Sequence, residues 1–82
     1  MIILDGRQMA DRDGMHAELK EKLSLPEYYG NNLDALNDCL SERTERELIV
    51  IADAGELLEG CEDYALGLLR VFADNDMQVL LS

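Results

Sequence analysis

The segment LPEYYGNNLDALNDCL, Leu25 to Leu40, joins two of the chain's three tyrosines, its only proline, a glycine, two adjacent asparagines and two aspartates, without a lysine or arginine. Leu25-Pro26 is a helix stop, because a residue before proline avoids the helical region. Asn31 or Asn32 then supplies an N-cap for a new helix. Leu33, Leu36 and Leu40 follow at i, i+3 and i+7, with Ala35 and Cys39 near the same stripe, which is the pattern of a core-facing side. Asp34, Asn37, Asp38 and Ser41 recur on the outward side as a stripe of their own. Asp34 and Asp38 are like charges one turn apart, which costs a helix roughly 0.2–0.5 kcal/mol. Asp34 recovers part of this from the helix dipole in the first turn. Asp38 is mid-helix, where aspartate is a poor choice for stability. Tyr28 and Tyr29 divide into a ring stapled against the helix and a surface ring suited to anchor a partner. Gly30 reads as a turn residue that also lets another chain approach closely.

Outward from this helix, the chain alternates strand and helix signals. Met1 to Leu4 is a short apolar run closed by Asp5-Gly6 and reads as a buried strand. Asp13 is a cap for a helix carrying Met15, Leu19 and Leu23 on one face. Glu47 to Ala52 is continuous and β-branched, the clearest strand in the chain. A helical pattern resumes near Gly55, with a break near Gly60 and an apolar face from Tyr64, Leu68, Val71 and Phe72. Asp74-Asn75-Asp76 is a turn, and Met77 to Leu81 is the last strand. The order β-α-α-β-α-β predicts an α/β fold, a three-stranded parallel sheet packed with three to four helices. A spatial order 1-2-3 places both right-handed crossovers on one face, and a sheet with the first strand in the middle is the alternative.

The length of 82 residues fits one domain spanning residues 1–82. Seven basic against eighteen acidic residues give a net charge of −11. No basic residue lies between Lys22 and Arg43, and beyond Glu47 only Arg70 is basic. Such a field repels nucleic-acid phosphates and anionic membranes and steers cationic partners inward. Two cysteines, Cys39 and Cys61, do not make a disulfide framework. They read as reduced thiols in or near the core. The start MIILDGRQ lacks the charged region of a signal peptide, and no apolar run reaches the ~18 residues of a membrane span. A cytoplasmic protein is expected.

The fixed residues of the opening segment resemble the signature of the barstar family, the intracellular inhibitors of barnase-type ribonucleases. The pattern L-P-x-Y-Y-G-x-N-L-D-A-L-x-D-x-L is met by Leu25, Pro26, Tyr28, Tyr29, Gly30, Asn32, Leu33, Asp34, Ala35, Leu36, Asp38 and Leu40. Met15-His16 with Leu19, Leu69 to Phe72 and Val79 to Ser82 resemble the family's first helix, last helix and terminal strand. The resemblance implies a barstar-like domain that blocks the basic active-site cleft of a secreted ribonuclease or nuclease toxin, one-to-one, with its second helix and the loop before it. Carboxylates would stand where substrate phosphates bind. Carried over, Asp38 is the main plug, Asp34 and Tyr28 support it, and Gly30 and Asn32 give loop contacts. Ser41 stands where the family has a hydroxyl, and Asp74 supplies an acidic contact from the last helix. The chain departs from the family at Asn37, where the best-known member has a tryptophan. It is also shorter between its second and third strands.

Other chemistry has little support. His16 is the only histidine and sits in a helical pattern, where a surface or capping place is expected. Cys39 has no evident base, and no phosphate-binding glycine loop is present. Asp11-x-Asp13-Gly14 lacks the later ligands of a calcium loop and reads as a helix cap. Two cysteines and one histidine do not make a zinc site. No enzyme activity, cofactor, metal or nucleic acid is expected. The competing function is an interaction module of the same fold that binds a different basic protein, for which Asn37 is the main motive.

Overall fold

The computed structural model describes residues 1–44 and 46–82. Strand β1 (Ile2–Asp5) is followed by a 3-10 turn at Gly6–Gln8 and by helices α1 (Arg12–Lys22) and α2 (Leu33–Ser41). Strand β2 (Ile49–Ala52), helix α3 (Ala54–Asp74) and strand β3 (Val79–Leu81) complete the order. The strands run parallel in the order β1-β2-β3, so the central strand is the β-branched run, as a 1-2-3 arrangement requires. Strands β2 and β3 are shorter than the apolar runs that encode them.

Right-handed crossovers place the connecting helices on one face of such a sheet. Burial agrees. Leu4, Ile49 and Ile51 are fully buried with Met15, Leu19, Leu36, Leu40, Leu57, Leu68 and Phe72 from the helices. On the opposite face Ile3, Val50 and Leu80 lie in register across the strands, with Ile3 51% and Leu80 56% exposed. Each fully buried large apolar side chain contributes about 1.5–3 kcal/mol, so this one-sided core accounts for most of the stabilisation.

The helix ends follow from local chemistry. Helix α1 starts at Asp11, not at the Asp13 that the sequence suggested: Asp11 Oδ1 accepts from Gly14 N–H at 2.7 Å. Asp13 falls in the first turn, where its charge still meets the dipole favourably. The helix ends with Ser24 in the left-handed region, and Leu25 N–H donates to the Lys20 carbonyl at 3.0 Å. That is a Schellman stop, one step ahead of the proline that the sequence marks. Helix α3 ends the same way, through Asp76 and a Met77 N–H bond to the Phe72 carbonyl at 3.0 Å. Asp74 therefore belongs to the helix and not to the turn.

The expected break in α3 is a kink at Cys61, with φ −152° and ψ 65°. The kink lies where the helix meets the segment before α1. The Cys61 thiol donates toward the Met9 and Ala10 carbonyls at 3.6 and 3.7 Å. A Cβ on Gly60 would lie 2.0 Å from the Ala10 carbonyl oxygen. Gly60→Ala is thus expected to destabilise the protein by about 1–2 kcal/mol, the overpacking strain outweighing the better helix propensity of alanine. Urea unfolding of the variant checks the sign.

Candidate protein-binding surface

Helix α2 is set by three local devices. Asn32 is its N-cap, accepting from Ala35 N–H at 2.7 Å through Oδ1 and donating to the Gly30 carbonyl at 3.2 Å through Nδ2. Asn31 takes the left-handed backbone, φ 53°, a conformation asparagine tolerates. Tyr29 N–H closes a turn on the Pro26 carbonyl at 3.0 Å. Gly30 itself has no positive φ, and a Cβ there would meet only ordinary contacts at 3.4 and 3.5 Å. The expectation that Gly30 serves the turn is therefore corrected: its neighbour Asn31 does so.

The paired tyrosines separate completely. Tyr29 is 6% exposed and belongs to the core, whereas Tyr28 is 83% exposed. The Tyr29 hydroxyl lies 2.6 Å from His16 Nδ1, and the Tyr64 hydroxyl lies 2.6 Å from His16 Nε2. His16 is 2% exposed, so the surface or capping place expected for it is wrong. It joins α1, the loop before α2 and α3 through both ring nitrogens. Burial lowers its pKa below the usual value, against the opposing pull of Asp13. Burial also raises the pKa of the Tyr29 phenol, so both partners stay neutral. Arg12 stacks over Tyr64, 4.4 Å from the ring centroid, and closes this cluster from outside.

Tyr28, Gly30, Asn32, Asp34, Asn37, Asp38, Ser41 and Asp74 are all solvent-exposed, while Leu36 and Leu40 are buried beneath them. The first seven share one loop and one helix. Asp74 joins from the end of α3, which is drawn beside α2 by a bond between Asn75 Nδ2 and Asn37 Oδ1 at 2.8 Å. The helices also meet closely at Gly67, where a Cβ would come 2.9 Å from Leu33 Cδ1. Ser41 Oγ donates back to the Asp38 carbonyl at 2.7 Å, so its hydroxyl is occupied by its own helix. Among the described residues, Asp34, Asp38 and Asp74 enter no ion pair. The links through His16, Tyr64 and Asn75 carry no local sequence signal, because their partners lie 13 to 48 residues away.

Cys39 and Cys61 are free and half-buried, and burial raises the pKa of both thiols. Among the described residues no group of His, Cys, Asp and Glu is arranged to hold a metal ion. No helix there is long and apolar enough to cross a membrane.

Fold and surface together define a small parallel α/β protein whose second helix turns an acidic stripe to solvent. The sequence profile described as "Barstar (barnase inhibitor)" matches residues 1–79, and the chain belongs to that family. It is also 46% identical over 50 residues to the Bacillus subtilis (strain 168) protein named "Putative ribonuclease inhibitor YrdF". That match covers 61% of this chain and 55% of the relative.

Proposed function

We propose that this protein is an intracellular inhibitor of a basic, barnase-type ribonuclease or related nuclease toxin, acting as a one-to-one plug rather than as an enzyme. Asp38 would occupy the cleft, meeting cationic side chains where substrate phosphate binds. Asp34 and Asp74 would flank it, and Tyr28, Gly30, Asn32 and Ser41 would complete the contact. The observation that carries this reading is the idleness of the three carboxylates and of Tyr28 within the fold. Three carboxylates stand exposed without an ion pair among the described residues, beside an 83% exposed ring. Gly30 adds to it, since its φ and its surroundings would both accept a larger residue. Its missing side chain serves the close approach of another backbone.

Charge-assisted contacts to arginine are the strong kind, and the net charge of −11 favours fast encounter with a cation-lined cleft. Barnase–barstar is the reference case for such steering, so its size is family precedent. Titration into a barnase-type ribonuclease assay tests the proposal. Stoichiometric inhibition is expected, with an association rate that falls steeply as salt is raised. Full nuclease activity at a severalfold excess of the protein would refute it. Asn37, a polar residue in the middle of the surface, favours a second reading, in which the same face binds a different basic protein.

A further inference from the structure

The orientation of the Asn37 amide is decided by a chain of hydrogen bonds. One Asn75 amide atom lies 2.8 Å from the Val71 carbonyl oxygen, which only accepts, so that atom is nitrogen. The same nitrogen lies 2.8 Å from the Asn37 amide, so the Asn37 atom facing it is the oxygen. The Asn37 NH2 group therefore points away from Asn75, on an exposed residue. Its setting is one of acceptors: Asp34 and Asp38 on the same helix and Asp74 beside Asn75. The neighbouring hydroxyl of Ser41 has already given its proton to the Asp38 carbonyl.

We infer that Asn37, held by Asn75, is a specificity-determining residue whose amide donates to a carbonyl or carboxylate oxygen of the partner, within a contact otherwise made to partner cations. This rests on the nuclease-binding reading of the surface and narrows it. The partner must carry an acceptor oxygen set among its basic groups. A partner with an apolar or cationic side chain at that place leaves the amide unpaired or opposes it, at a loss of about tenfold or more in affinity. Because Asn75 holds the amide before binding, little rotamer freedom is lost on contact.

Asn37→Asp separates this idea from simple charge attraction. The variant keeps an oxygen for Asn75 and replaces the donor by an acceptor of the same shape. Attraction to a cationic cleft alone makes it bind more tightly. Donation to an acceptor makes it bind about 10- to 100-fold more weakly. Asn37→Leu, which adds no charge, is expected to lose affinity as well. Asn75→Ala is expected to lose severalfold, chiefly in dissociation rate. Dissociation constants would be measured by calorimetry with a barnase-type ribonuclease, with circular dichroism confirming that each variant is folded. Equal or tighter binding by Asn37→Asp, or tighter binding by Asn37→Leu, overturns the inference while the inhibitor reading stands. Absence of binding by the unaltered chain overturns that reading, and this inference with it.

Discussion

Replacing Asp38 by alanine is expected to weaken binding to a barnase-type ribonuclease by about 10- to 100-fold, the worth of a charge-assisted hydrogen bond. The substitution leaves the fold alone. Asp38 is exposed, mid-helix and without an ion pair among the described residues, and alanine is the better helix former there. Stability should therefore hold or rise while affinity falls, a combination that a structural residue does not produce. The loss should appear mainly as faster dissociation, since one charge of many changes the long-range field little. Asp34→Ala should lose less, because that carboxylate also interacts with its own helix N-terminus. Stopped-flow association with urea unfolding of the same variant reads both quantities. Undiminished binding by Asp38→Ala would remove the central contact of the proposed plug.

His16→Ala is expected to destabilise the protein by about 2–4 kcal/mol, since it opens a cavity and strips the Tyr29 and Tyr64 hydroxyls of their partner. Against a typical total of about 5–15 kcal/mol this is a large fraction. The effect should reach the binding surface, because Tyr29 is covalently next to Tyr28 and Gly30. The histidine also gives stability a pH dependence of defined sign. Burial lowers its folded pKa below the ordinary value of 6.5. The unfolded chain therefore takes up the proton first as pH falls. This contribution is complete above about pH 6.5 and declines as the pH drops below it, down to the folded value. His16→Gln, which cannot titrate, should lose that part of the slope. Denaturant midpoints of the two proteins between pH 5 and pH 7.5 make the comparison. Parallel slopes would show that folding leaves the imidazole pKa unchanged.

Much of the candidate surface is legible in the residues alone, because it is written on one contiguous segment. A helix turns i, i+3, i+4 and i+7 to one side whatever surrounds it, so Asp34, Asn37, Asp38 and Ser41 must share a stripe. Asn32 must be close to the cap, since its side chain satisfies a donor only three residues away. The element order is equally accessible, because the apolar runs alternate with helical periods, whereas the strand order 1-2-3 was one of two arrangements and is decided by the pairing in the sheet. Shorter signals are ambiguous. Asp11 and Asp13 are both competent caps, and only the path of the chain out of the 3-10 turn selects the first.

The Asn32 cap and the acidic face of α2 thus depend on neighbours within about one helical turn, and the order of amino acids suffices to specify them. Contacts between residues far apart in the chain were settled only by packing. His16 became a buried link because Tyr29 and Tyr64 arrive 13 and 48 residues later with hydroxyls aimed at its ring nitrogens. Asn37 acquired a fixed amide because Asn75, 38 residues on, is brought beside it. Gly60 packs on Ala10 for the same reason. No local periodicity encodes such pairings, since they arise only when burial of the common core brings separate helices together.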